Sequence, residues 1–472
     1  MGGIRKCCVQ PPDANAAPAT SASLPVQSPP AAPTRAEAFA YWLRLGLISF
    51  GGPAGQIAIM HRELVDEKRW ISERRFLHAL NYCMVLPGPE AQQLATYIGW
   101  LLHRTWGGIV AGGLFVLPSL FLLIALSWLY MAFGDVPAVA GFLAGVKPAV
   151  VAIVLQAAWR IGSRALKHRV LWVIAALAFI AIFVFNVPFP AIVLGAAIIG
   201  YIGGHYAPGA FTPGGKHAAG ASVHAPAVID DDTPAPLHAK FRWPRLVLTV
   251  AVFLVLWFGA MALIWVSGGG PTPLLDMAWF FTKAALLTFG GAYAVLPYVY
   301  QGAVETFGWL TPTQMIDGLA LGETTPGPLI MVVAFVGFVG GWTKALFGAA
   351  LLPLAGIVAA TVVTYFTFLP SFLFILAGGP LIESTRGELR LSAPLTAVTA
   401  AVVGVIVNLA AFFAWHVFWP GGWNAAKLVG GIDAVAVGIA VAAAVALFRF
   451  KAGVIRVILA CGALGLAASL VR

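Results

Sequence analysis

Charge is scarce in this chain. Asp, Glu, Lys and Arg make up 10% of its 472 residues, 60% are hydrophobic, and the mean hydropathy is +0.90. A soluble globular domain carries roughly 25% charged residues, so this composition excludes one and implies a polytopic membrane protein. Cysteine is scarcer still. The four present, Cys7, Cys8, Cys83 and Cys461, form no CxxC pair and no zinc spacing, which excludes a disulfide framework and a cysteine metal site. There is no GxxxxGK[ST] loop, so a self-contained ATP-driven pump is excluded, and neither HExxH nor GxSxG occurs. No cofactor is implied. Residues 1–35 lack an apolar h-region and are rich in Ala, Pro and Ser, so they read as a disordered tail without a cleavable signal. Position 6 is Lys6, which removes the Ser or Thr that myristoylation needs.

What charge there is has a pattern. The net charge of +10 comes from Lys and Arg in short loops between apolar runs, the positive-inside distribution of a membrane protein and not a nucleic-acid footprint. Arg62, Lys68, Arg69, Arg74 and Arg75 form one such loop, and Arg160, Arg164, Lys167 and Arg169 form another. Residues 206–243 read as a flexible linker. Its histidines (with His205, these are His217, His224 and His238) are irregularly spaced, as in a solvated segment rather than a metal sensor. The remaining chain divides into a first repeat at 36–205, a connecting transmembrane helix at 244–274 and a second repeat at 275–472.

Two helix-breaking clusters interrupt apolar segments in the first repeat, Phe50-Gly51-Gly52-Pro53 and Pro87-Gly88-Pro89. They return as Phe289-Gly290-Gly291 and Pro326-Gly327-Pro328, at the same spacing (289 − 50 and 326 − 87 are both 239), and Trp70 meets Trp309 at that spacing too. Each arm beside a break holds about ten to fifteen residues, against the ~20 a spanning helix needs. Hairpins that enter and leave on one side therefore fit, and they place both basic loops of the first repeat in the cytoplasm. With these hairpins the chain reads as nine spans plus four hairpin-like segments, and 371–383, cut by Gly378-Gly379-Pro380, reads as interfacial. Residues 301–315, which match the first basic loop, contain Glu305 and no Lys or Arg. The expected fold is therefore all-α, with two homologous halves in inverted orientation and broken, re-entrant helices. Interrupted segments at matching places in two halves are the best sequence pointer to a transporter site.

The candidate site follows from what a break exposes. A helix restarting at Pro53, Pro89 or Pro328 presents unpaired N–H groups and a positive dipole end to an oxyanion, and glycine allows close approach. The first breaks of the two halves are expected to face each other. The binding set is Arg44, Gly51, Gly52, Pro53, Gly88, Pro89, Lys283, Gly290, Gly291, Gly327 and Pro328. Arg44 and Lys283 stand six residues before Phe50 and Phe289, and a cation within an apolar segment costs roughly 2.5–3.5 kcal/mol, so they read either as counter-charges or as snorkelling side chains. Glu323 and Glu90 are the candidates for proton coupling. Asp317 and Lys147 are weaker candidates, since each also fits a boundary position, and Trp70 and Trp309 read as interfacial anchors.

These motifs resemble the chromate ion transporter family in its long, two-domain form. The resemblance rests on Phe50-Gly51-Gly52-Pro53, Met60, Val65, Trp70, Phe76, Leu86-Pro87-Gly88-Pro89 and Gln93-Leu94-Ala95 in the first half. In the second it rests on Phe289-Gly290-Gly291, Tyr293, Trp309 and Gly322-Glu323-Thr324-Thr325-Pro326-Gly327-Pro328. The second half departs in having Ala292 where the first has Pro53. The resemblance implies export of chromate, with sulfate as a structural analogue, driven by the proton motive force across the bacterial inner membrane. Import of sulfate or another oxyanion, and an anion channel, are the alternatives. An intramembrane enzyme lacks a nucleophile and base pair. A homodimer is an allowed assembly.

Overall fold

A computed structural model of the chain describes residues 30–50, 52–211, 226–231, 233–234, 236–289, 291–385, 392–420 and 431–471. The tail up to residue 29 with Cys7 and Cys8, Gly51, His217, His224 and Gly290 lie outside the described residues. The first half runs α1 (Arg35–Ile48), α2 (Gly52–His61), α3 (Glu73–Val85), α4 (Glu90–Phe133), α5 (Pro137–Ala165), α6 (Arg169–Phe183) and α7 (Phe189–Tyr206). A short α8 (Pro208–Phe211) and the connecting α9 (Trp243–Gly268) follow. The second half runs α10 (Pro273–Leu286), α11 (Ala292–Tyr300), α12 (Pro312–Thr324), α13 (Val332–Thr343), α14 (Leu352–Thr385), α15 (Ser392–Phe418), α16 (Ala434–Phe448) and α17 (Val454–Val471).

Local sequence sets the short arms. Thr34 opens α1 with a capping box, its hydroxyl accepting from the Glu37 amide at 3.2 Å while the Glu37 carboxylate accepts from the Thr34 amide at 2.7 Å. At ~1.5 Å per residue its 14 residues reach about 21 Å, short of the ~30 Å bilayer core. Ser72 caps α3 and Thr311 caps α12, at positions 239 apart. The repeat extends to irregular backbone. A π-helical turn covers Arg62–Glu67 after α2 and Gln301–Thr306 after α11, again 239 apart although the two sequences differ. Arg69, with φ +50°, takes the left-handed conformation that Gly308 takes at φ +56° in the other half. The repeat is thus a backbone repeat first and a side-chain repeat second.

α4 leaves helical geometry at His103 and Arg104, so it is one short arm followed by one long apolar stretch. The second half makes the same pair from two elements, α13 and α14. Among the described residues, six helices, α4, α5, α7, α9, α14 and α15, are long and apolar enough to cross a membrane; α6, α13, α16 and α17 are apolar but shorter. The stretch 371–383 is not interfacial. It continues α14 through the core, where Ile375 is buried and the Tyr82 hydroxyl donates to the Phe374 carbonyl at 2.8 Å. Neighbouring helices that supply such partners make Pro370 and Pro380 tolerable inside it.

The halves interlock. α16 and α17 of the second half pack on α5, α6 and α7 of the first pack on α15, and α5 packs on α15. Small residues allow this, with Gly145 against Gly465 and Gly200 against Ala397. Each half's helix meets the other half's counterpart in the reciprocal way, which is the signature of a two-fold relation. Trp70 and Trp309 are 7% and 2% exposed and pack edge-to-face on Tyr41 and Phe280, so they are core residues rather than interfacial anchors. Asp317 is also inside, 3.0 Å from the Tyr130 hydroxyl and 3.5 Å from Lys147 Nζ, which ties α12 to α4 and α5. Glu383 plays the matching part for α3 and α4, accepting from Arg75 at 3.3 Å and Tyr97 at 2.5 Å. The expected linker is docked over part of its length. Ile229 exchanges backbone hydrogen bonds with Trp70 and Ser72, Ser72 donates to Asp231 at 2.6 Å, and His238 bonds the Trp100 carbonyl at 2.9 Å.

Candidate functional site

The breaks meet in the interior, crosswise. The Gly327 amide donates to the Ser49 carbonyl at 2.8 Å, and the Gly88 amide donates to the Thr288 carbonyl at 2.7 Å. Residues 49 and 288 are 239 apart, as are 88 and 327, so the two bonds are one interaction made twice under the two-fold. The second break of each half therefore faces the first break of the other, where the sequence suggested that the two first breaks face each other. A consequence is that the Gly88 and Gly327 amides are already spent on joining the halves. The N–H groups left at the breaks are those of the first turns of α2, α4 and α11, which have no partner within the helix.

Glycine is required at both crossing points. Gly88 and Gly327 have φ of +125° and +105°, and a side chain at Gly327 would stand 2.7 Å from the Ser119 Cβ. At Gly88 it would meet the Ser371 hydroxyl instead. Ser119 and Ser371 are thus equivalents, and they lie in Leu117-Pro118-Ser119 and Leu369-Pro370-Ser371. The spacing there is 371 − 119, or 252, so a search at the single offset of 239 misses the pair; the repeated Leu-Pro-Ser triplet was the available signal. Both hydroxyls are buried without a hydrogen-bond partner. Orphaned buried polar atoms are rare enough to ask for an explanation.

The glutamine lining belongs to the first half. Gln56 donates to the Gly327 carbonyl at 2.6 Å and the Ser49 carbonyl at 3.2 Å, and Gln93 donates to the Pro87 carbonyl at 2.8 Å. Gln92 and Thr96 bond each other at 3.1 Å. Gln56, Gln92 and Gln93 are fully buried, and each side-chain carbonyl oxygen lacks a partner. At the 239 spacing the second half has Val295, Met331, Val332 and Phe335 in place of Gln56, Gln92, Gln93 and Thr96. The crossings are closed to solvent, since Ser49, Gln56 and Thr288 are all 0% exposed.

The predicted cations do not converge on the crossings. Arg44 has a 60% exposed side chain and donates to Glu63 Oε1 at 3.1 Å, so its charge is held by a buried carboxylate. Lys283 lies 5.9 Å over the Trp279 ring, and Gly302 stands where Glu63 stands in the first half. Glu323, at the end of α12, accepts from the Tyr293 hydroxyl on α11. Glu90 is half-buried at the start of α4, behind Pro89. Gly52 and Gly291 keep positive φ at the first breaks, +75° and +97°, while Pro53 and Pro328 sit at the restarts.

A cation that sequence reasoning assigned to a loop does reach the site. Arg160 lies inside α5, and a side chain built on Gly52 would stand 3.9 Å from its guanidinium. Among the described residues, no group that could hold a metal is formed by three His, Cys, Asp or Glu side chains.

Comparison with known proteins agrees with this geometry. The family model described as chromate transporter matches residues 36–201 and again 275–466, one match per half. A chromate transport protein of Pseudomonas aeruginosa is 36% identical over 436 residues, covering 90% of this chain and 91% of that one. One from Cupriavidus metallidurans is 29% identical over 401 residues, covering 84% and 86%. An uncharacterized transporter of Bacillus subtilis, YwrB, is 32% identical over 142 residues, which are 30% of this chain and 72% of that one. No solved structure matches.

Proposed function

The chain belongs to the chromate transporter family, and from that premise we propose that it is a secondary transporter exporting chromate, with sulfate as an analogue, by alternating access driven by the proton motive force. The observation that carries this reading is the reciprocal pair of bonds, Gly327 to Ser49 and Gly88 to Thr288. A site built on a two-fold between two repeats can open to either side by a small rigid movement of one repeat against the other. The crossings supply what a tetrahedral dianion needs: helix amino ends at Gly52, Pro53, Pro89 and Gly291, and buried hydroxyls and amides around Gly88, Gly327 and Pro328. Gly51 and Gly290 belong to the same set by sequence. Residues 36–61 and 73–102 enter from the cytoplasm, the second half lies inverted, and α9 is the crossing that turns it over. The unlike charges of loops 62–75 and 301–315 support that orientation. Glu323 carries the coupling proton, with Glu90 as a second carrier, because both are carboxylates next to breaks. The protein resides in the bacterial inner membrane.

Everted membrane vesicles test the reading. Saturable chromate accumulation that a protonophore collapses is expected, with loss of that response in Glu323→Gln. Non-saturable flux indifferent to the protonophore would make it a channel. Inward sulfate flux in right-side-out vesicles alone would make it an importer.

A further inference from the structure

Three features of the crossing of Ser49 with Gly327 are not accounted for by holding the halves together. The first is Arg160, half-buried on α5, whose guanidinium forms no hydrogen bond or ion pair among the described residues. The second is that it stands against Gly52, the residue that opens the ten-residue α2. The third is that two fully buried polar atoms of the same crossing, Gln56 Oε1 and Ser119 Oγ, have no partner. A cation placed in an apolar segment is costly unless it is paired, so one that has no hydrogen-bonded acid and stands beside the amino end of α2 is set up for an anion that arrives.

We infer that Arg160 is the residue that meets the charge of the transported oxyanion, with the amino end of α2 and the amide of Gln56, its oxygen idle, on that helix beside it, and that Arg44 and Lys283 do not serve this role. The inference rests on the proposed function and names the charge partner within that site. Arginine suits the task because its planar fork binds two oxygens of a tetrahedral anion at once and keeps its charge when dehydrated. Arg44 is engaged by Glu63, and Lys283 lies on the Trp279 ring, away from any break. The second half has no equivalent. At the spacing that relates the two Leu-Pro-Ser triplets, Arg160 corresponds to Phe412, which packs on Tyr300 and His416. One cation is thus placed at one crossing, so the substrate has a defined seat within a backbone that is otherwise two-fold.

The test is equilibrium binding of radiolabelled chromate, sulfate and phosphate to the purified full-length protein in detergent, with unfolding temperature measured on each sample. Arg160→Ala should weaken every oxyanion that the wild type binds by about 100-fold or more, and Arg164→Ala, one turn along the same helix, should stay within about twofold. If Arg160→Ala is unstable, Arg160→Lys and Arg160→Gln decide: lysine should bind at least tenfold more tightly than glutamine, because charge is retained. Wild-type affinity in Arg160→Ala, or lysine no better than glutamine in folded protein, overturns the inference. A wild type that binds sulfate or phosphate but not chromate, with that binding lost in Arg160→Ala, overturns the chromate reading and upholds this one. A wild type that binds no oxyanion of the three overturns both.

Discussion

The arm Glu90-Ala91-Gln92-Gln93 in the first half and the arm Leu329-Ile330-Met331-Val332 in the second follow the same Pro-Gly-Pro break. Their glycines share positive φ, and each donates its amide to the other half at nearly the same length, 2.7 and 2.8 Å. Their side chains differ completely. One arm carries buried amides with idle oxygens, and the other carries aliphatic groups packed in the core. The contrast separates two demands that a repeat has to meet. The backbone crossing is needed twice, because a two-fold joint cannot be made from one side. The glutamine lining is needed once, because buried amide oxygens without partners cost about 1–3 kcal/mol each and are tolerable only where something compensates.

Substituting the shared feature should have the largest effect. Gly88→Ala and Gly327→Ala force a side chain into a left-handed backbone position already filled by a serine of the other half, a strain of order 1–3 kcal/mol before the clash is counted. Both should lose transport by at least about 100-fold, or fail to fold, and to a similar extent. If one is tolerated in vesicle flux assays and the other is not, the crossings are not equivalent. The unshared feature should be asymmetric and smaller. Gln92→Met and Gln93→Val, which write the second half's residues into the first, should raise the apparent KM for chromate by about tenfold each with the unfolding temperature kept or raised. Met331→Gln and Val332→Gln should instead lower the unfolding temperature with little change in KM. Equal KM effects in both directions would erase the distinction between the arms.

The smallest effects are expected at the paired cations. Arg44→Ala leaves the buried Glu63 carboxylate with Arg62 alone, 3.8 Å away, and Arg44→Ala with Glu63→Gln should restore most of the stability lost, about 1 kcal/mol given the exposure of Arg44. Lys283→Ala has no acid to orphan and should fall within measurement error. A loss of chromate affinity in either variant without a change in unfolding temperature would return these residues to the binding site.

Much of this was legible in the residue string. Breaks too close together for full spans gave the broken hairpins, and the offset of 239 gave the repeat, because both depend on Gly and Pro, whose conformational limits hold in any context. The way the breaks pair was not legible. That Gly88 meets Thr288 and not its own counterpart depends on where the two-fold axis passes, which periodicity does not encode. Arg160 was hidden because a basic residue near a helix end reads as a loop marker, and only the approach of α5 to Gly52 distinguishes it from Arg164. Trp70 and Trp309 misled for a similar reason, since an aromatic beside a loop fits an interface as well as it fits a core, here under the docked Ile229 for Trp70 and among Phe280, Phe281 and Phe307 for Trp309.

An inverted repeat requires the two-fold to lie in the membrane plane, so that one half is upside down relative to the other. Asp66 and Glu305 are equivalent, 239 apart, and both exposed on the π-helical turns. The direct test is labelling of Asp66→Cys and Glu305→Cys, each in a background with the native cysteines replaced, by a membrane-impermeant maleimide in everted and right-side-out vesicles. Asp66→Cys is predicted to react only in everted vesicles and Glu305→Cys only in right-side-out ones. Reaction of both from the same side would contradict an inverted repeat.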